Sequence, residues 1–213
     1  MNQHNQPIAL AGGSLGAYRH ACAFFASREE EYRVITPFIK DGIERGERGL
    51  HVIDPALRDD HLARLSGNGV RVDELLSTGQ LEVRDWNDVY LKDGYFDQDR
   101  MLGTIKSVLD SADREPYTPT RMYATMKWPM EGHQGAEDIV EYEARVNYLW
   151  PQHKGALICS YDLSGFSGIV IDIMRTHPMV IIGGVLQENP FYVPPDDFLQ
   201  ELRARGNQQA VSE

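Results

Sequence analysis

The turn after the first clear strand, Ala26-Ser27-Arg28-Glu29-Glu30-Glu31, stands where a strand-to-helix turn could bind phosphate on the free N–H groups of the helix. A P-loop at such a turn needs glycines that let the backbone wrap the phosphates, with Lys and Ser/Thr for charge and magnesium. This turn has neither glycine nor lysine. Three carboxylates fill the first helical turn, where they complement the positive helix end and repel a triphosphate. Arg28 is a single anion contact among them, so nucleotide binding and hydrolysis by the standard route are not expected.

Other residues suggest different chemistry. His20, Cys22 and Phe24 share one face of the first strand, because strand side chains alternate. Cys159 and Tyr161 do the same on a later strand. If those strands are neighbours, His20, Cys22, Cys159 and Tyr161 gather into a cluster for a small molecule, a metal or haem. The plainer reading, a core with a hydrogen-bonded histidine, is preferred to metal or haem at His20 and Cys22. Open α/β sheets bind ligands at the carboxyl ends of their strands, which directs attention to the loops after Phe25, Ile53, Trp128 and Tyr161. Trp128 there is placed to wall an apolar pocket, and Tyr161 and Asp162 to line it, although Asp162 also suits a helix cap. Arg28 and Glu30 are placed at the pocket mouth, with capping the competing role for Glu30 and core packing for Tyr32. Glu141 and Glu143 lie two apart on a helix, so at most one enters a shared site. His177 precedes the last strand, at its amino end, and reads as a structural or interface residue. Gly165-Phe166-Ser167-Gly168 is not a nucleophile elbow, and no HExxH, GxGxxG or EF-hand pattern occurs.

The elements that must position these residues alternate between strand-like and helix-like patterns, which argues for parallel α/β units. Six strands are expected: Arg19 to Phe25, Leu50 to Ile53, Leu81 to Arg84, Met122 to Trp128, Ala156 to Tyr161 and Met179 to Ile182. Ser27 with Glu30 forms a capping box for the first helix, whose apolar residues Val34, Ile35, Phe38, Ile39 and Ile43 recur at helical spacing. Pro37 inside that pattern predicts a kink or a late start. Shorter helices are expected near 59–65 and 72–77, then a helix capped by Asp97, one through Ile139 to Leu149, one from Phe166 to Met174, and a closing one from Asp196 to Arg203. Trp86 to Tyr95 reads as a loop. Residues 1–18 and 205–213 read as flexible segments around a single domain, 19–204.

With 213 residues, 42% hydrophobic and 25% charged, the chain can build one substantial core. Its net charge of −11 disfavours direct nucleic-acid or anionic-membrane binding. No apolar run approaches the roughly 20 residues that span a bilayer, and the polar N-terminus lacks signal-peptide character. Cys22 and Cys159 lie in apolar stretches and read as buried thiols of a reducing compartment, hence cytoplasmic.

With those residues in view, the chain resembles the MEDS family, the methanogen/methylotroph, DcmR-type sensory domain. The similar stretches are HACAFFASREEEYRVITPFIKDGIERGERGLHVID (20–54), EYEARVN (141–147), CSYDLSGFSG (159–168) and RTHPMVIIGGVLQENPFYVPPDDFL (175–199). The resemblance implies a RecA/KaiC-like three-layer α/β sandwich with a mostly parallel central sheet and a degenerate P-loop. It also implies a sensory role toward small one-carbon or hydrocarbon-derived compounds. Family members are often fused to a helix-turn-helix or kinase output, for which this chain leaves no residues. The expectation is therefore a non-catalytic domain that binds a small, partly apolar ligand through His20, Cys22, Phe25, Arg28, Glu30, Tyr32, Trp128, Cys159, Tyr161 and Asp162. It would relay to a separate kinase or transcription regulator, with a homo-oligomer an open question. The alternatives are a ligand-free interaction module of a kinase or sigma-factor pathway, and an enzyme of unrecognised type.

Overall fold

The computed structural model describes residues 7–162 and 169–212. In chain order the elements are β1 (Ile8–Leu10), β2 (Gly13–Leu15), β3 (His20–Phe25), α1 (Arg28–Glu44), β4 (Arg48–Ile53), α2 (Arg58–Gly67), α3 (Val72–Thr78) and β5 (Leu81–Asp85). There follow α4 (Trp86–Val89), α5 (Gln98–Ser111), β6 (Thr120–Thr125), α6 (Ile139–Val146), β7 (Ala156–Asp162), α7 (Val170–Arg175), β8 (Met179–Ile182), β9 (Val185–Glu188) and α8 (Pro195–Ser212). A seven-stranded sheet runs β5-β4-β6-β7-β3-β8-β9, parallel except for β9. Within this sheet the strand beyond the expected six is β9, turned back on β8 through Gly183 and Gly184, whose φ values of +60° and +73° suit a residue without Cβ.

Period-two alternation divides the sheet into two buried faces. Cys22, Phe24, Val52, Met122, Ala124, Cys159 and Tyr161 pack with residues of α5, α6 and α8. Ala21, Ala23, Phe25, Ile53, Tyr123 and Ile158 pack with residues of α1, α2 and α3 on the opposite face. The expected neighbour relation of the first strand and the Cys159 strand is present, with Cys22 in register with Cys159.

Local signals place α1. Ser27 Oγ accepts from the Glu30 N–H at 3.2 Å, and Glu30 reaches back to accept from the Ala26 N–H at 2.9 Å, so the capping box forms as expected. The late start does not occur, because α1 is helical from Arg28 and continues past the exposed Pro37. Asp97 caps α5 by accepting from the Arg100 N–H at 2.8 Å. The 86–95 segment contains α4 and a further single helical turn, where a loop was expected.

The two ends also differ from expectation. Residues 8–15 form a β1–β2 hairpin that buries Ile8, Leu10 and Leu15 and takes the Leu186 N–H of β9 onto the Ala11 carbonyl at 3.1 Å. Three-residue strands carry too short an alternation to stand out from a polar terminus. The closing helix extends through Ser212 rather than stopping near 203. The expected start of the preceding helix at Phe166 lies outside the described residues, as does the GFSG segment; the described part of that helix begins at Val170.

Candidate functional site

The carboxyl ends of β3, β4, β6 and β7 meet in an open cleft with a cavity volume of about 60 Å³. Phe25, Leu57, Met126 and Tyr161 form its apolar part, while Arg28, Glu31, Asp54, Lys127, Ser160 and Asp162 bring polar groups to it. Phe25, Arg28, Tyr161 and Asp162 are thus placed at the expected edge. Trp128 is not. Its strand ends at Thr125, and the fully buried indole packs on Tyr90 and Phe96, with centroids 5.0 and 4.8 Å away. The chain turns inward after Lys127, so Trp128 joins the helix-covered core. Glu30 is occupied by the cap, and the Tyr32 hydroxyl meets His61 Nδ1 at 2.6 Å.

Glu31, passed over in the sequence as one of three helix-end carboxylates, is the residue that turns in. It is buried, accepts from Arg28 Nη1 at 2.7 Å and Ser160 Oγ at 2.6 Å, and also accepts from the Tyr123 hydroxyl. Arg28 continues to Asp60 Oδ2 at 3.1 Å and so ties α1 to α2. Its Nε–H is buried and has no hydrogen-bond partner among the described residues. Beneath, His61 meets His51 Nδ1 at 2.9 Å. Burial holds His61 down to about 3 and lowers His51 as well, so both rings are neutral at pH 7. A helix that turns a carboxylate inward beside its own N-terminus offers phosphate no vacant positive end.

A second constellation lies on the opposite face of the sheet. His20 starts β3, Cys159 is in the middle of β7, Glu143 comes from α6, and His177 from the turn between α7 and β8. All four are fully or almost fully buried, and one donor atom of each lies within 4.8 Å of all the others. Glu143 Oε2 is 3.4 Å from His20 Nε2, 3.5 Å from His177 Nε2 and 4.0 Å from Cys159 Sγ; Sγ is 3.6 Å from His20 Nε2. The Tyr161 hydroxyl donates to the other Glu143 oxygen at 2.9 Å. Burial holds His20 down to about 4 and His177 to about 3, and pushes the Glu143 carboxyl and Cys159 thiol up. The histidine–glutamate approaches are therefore not ion pairs at neutral pH.

This gathering includes His20, Cys159 and Tyr161 of the expected cluster. Cys22 is adjacent but directs its thiol to the Met179 carbonyl at 3.8 Å. Glu143 is the inward member of its pair, while Glu141 lies toward Arg145, 3.9 Å away. From its place at the amino end of a strand, His177 reads in the sequence as a structural or interface residue. The parallel β3–β8 register nevertheless brings it against His20, with ring centroids 4.1 Å apart.

Known proteins agree with this architecture. A solved KaiC-like protein from the hyperthermophilic archaeon Pyrococcus horikoshii OT3 superposes with a TM-score of 0.57 at 15% identity, covering 80% of this chain and 73% of its own. That likeness shows the RecA/KaiC-type fold. No curated protein matches the chain. No helix among the described residues is long and apolar enough to cross a membrane. The sequence profile of the methanogen/methylotroph, DcmR sensory domain matches residues 19–178, so the chain belongs to the MEDS family of sensory domains.

Proposed function

We propose that the cleft at the carboxyl ends of β3, β4, β6 and β7 is the sensory site, that it takes a small, partly apolar ligand without chemical turnover, and that the signal passes to a separate output protein. One observation carries the reading. The Phe25, Leu57 and Met126 wall stands beside Arg28, whose buried Nε–H lacks a partner among the described residues, with Lys127 and Ser160 alongside. A buried donor without an acceptor costs stability, and an oxygen-bearing ligand would relieve that cost. The Ser160 hydroxyl and the Glu31 carboxylate in the cleft are already hydrogen-bonded to each other, and Glu31 also to Arg28 and Tyr123, which supports a binding role for them. The relay to a partner is supported by exposed apolar side chains near one sheet edge: Phe191 (61%), Val185 (57%) and Ile182 (46%).

Native mass spectrometry of the purified chain tests the reading. A small molecule retained at one per chain, absent from an Arg28→Gln variant of unchanged fold, is the expected result. If the chain flies bare, thermal-shift measurements with short alcohols, aldehydes, carboxylates and halocarbons decide. No shift from any of them removes this cleft as a ligand site.

A further inference from the structure

We propose that His20, Glu143, Cys159 and His177 form a buried four-coordinate site for one divalent transition-metal ion, with zinc the ion that best fits the donors.

The hydrogen bonds behind the two rings set their tautomers. His177 Nδ1 lies 2.8 Å from the Ile173 carbonyl, which can only accept, so Nδ1 carries the proton. The Asn147 amide is oriented by its own donation to the Thr176 carbonyl at 2.7 Å, and its oxygen therefore faces His20 Nδ1 at 3.1 Å and accepts from it. Both Nε2 atoms consequently present bare lone pairs to the centre. They face a carboxylate oxygen and a sulfur, so four electron-pair donors converge with no cationic side chain among them. His177 Nε2 is fully buried and has no hydrogen-bond partner among the described residues.

Protons alone account for this arrangement poorly. Hydrogen bonds between nitrogen and oxygen run about 2.7–3.2 Å. The two histidine–Glu143 separations, 3.4 and 3.5 Å, are longer. They do match the edges of a metal tetrahedron. Bonds of about 2.0–2.1 Å to nitrogen, 2.0–2.2 Å to oxygen and 2.3 Å to sulfur place neighbouring ligands about 3.3–3.6 Å apart. The Cys159–His20 edge of 3.6 Å fits as well, the Cys159–Glu143 edge of 4.0 Å is longer, and every edge lies within 4.8 Å.

Charge and chemistry point the same way. Loading releases the Cys159 thiol proton, and the resulting thiolate together with the Glu143 carboxylate neutralises a 2+ ion where a net charge would be costly. Two imidazoles, one thiolate and one carboxylate suit zinc, whereas magnesium and calcium prefer oxygen alone. Donor atoms this close leave room for an ion and not for a porphyrin. The backing groups are those a metal centre uses: Asn147 and the Ile173 carbonyl behind the imidazoles, and Tyr161 on the second carboxylate oxygen. With four protein ligands the site is closed, joining β3, β7, α6 and the α7–β8 turn.

The test is cobalt(II) and zinc titration of the full chain after stripping with a chelator. One ion per chain is expected. Cobalt should give a thiolate-to-metal absorption in the near ultraviolet and the strong visible bands of tetrahedral coordination. Cys159→Ser should lose the ultraviolet band. Asn147→Ala, which removes the group orienting His20, should bind roughly 10–100-fold more weakly. Circular dichroism checks that each variant folds; should Cys159→Ser not fold, the near-isosteric Glu143→Gln, expected to weaken cobalt binding, takes its place. A wild-type chain that takes up no stoichiometric cobalt, or shows no thiolate band, overturns the site. So does a folded Cys159→Ser variant with an unchanged spectrum. Ligand binding in the cleft is read separately, by mass and thermal shift, so either idea can fail without the other.

Discussion

Glu31 shows how one side chain decides what the first turn can do. Its carboxylate is held by Arg28, Ser160 and Tyr123, joining α1 to β7 and β6. Hydrogen bonds to a charged group contribute about 1.5–3 kcal/mol each, so Glu31→Ala is expected to lower the unfolding free energy by at least that amount in urea titration. An unchanged urea midpoint would show the network to be incidental. Below it, His61 titrates at about 3 when folded and near the ordinary histidine value of 6.5 when unfolded. The unfolded chain therefore binds more protons between those values. The His61 contribution is fully present above about pH 6.5 and is lost as pH falls toward 3. Stability measured at descending pH should drop through that window, and His61→Gln should flatten the slope. Tyr32, His51, Arg28 and Arg58 are the neighbouring groups that set this environment.

At the scale of elements, α1 is fixed by its ends and by one buried cation. Ser27→Ala removes the cap and is expected to cost about 1 kcal/mol. Arg121 of β6 runs beneath α1, donating to the Phe38 carbonyl and to Asp41, both at 2.6 Å, and pairing with Glu47. Its side chain is 3% exposed. Replacing it with Leu leaves the Glu47 charge buried without its partner, so a loss of about 3–5 kcal/mol is expected by chemical denaturation. A loss under 1 kcal/mol would mean that Glu47 finds solvent by moving. The sequence shows the helix and its box but not this tie, because Arg121 and Glu47 are 74 residues apart.

At the scale of the whole molecule, the β1–β2 hairpin closes the antiparallel edge of the sheet. Ile8, Leu10 and Leu15 are each worth about 1.5–3 kcal/mol of burial. A chain starting after residue 15 should therefore unfold at a lower temperature and self-associate through the uncovered edge; light scattering and calorimetry check both effects. Monomeric behaviour with an unchanged melting temperature would contradict that role.

Much of the outline was legible in the chain itself. Short apolar runs bounded by turn residues mark the parallel strands, caps mark α1 and α5, and the glycine-free, acidic turn at 26–31 rules against a P-loop. These are local signals, written in residues a few positions apart. What only the tertiary structure decided are the meetings between distant segments. It seats Trp128 in the core, turns Glu31 inward and chooses Glu143 over Glu141. It also carries His177 to His20, because parallel register pairs segments that no local spacing relates. The first turn thus remains the firmest reading of the sequence, while the strongest chemistry, four donors converging from β3, α6, β7 and the turn before β8, exists only once the sheet is assembled.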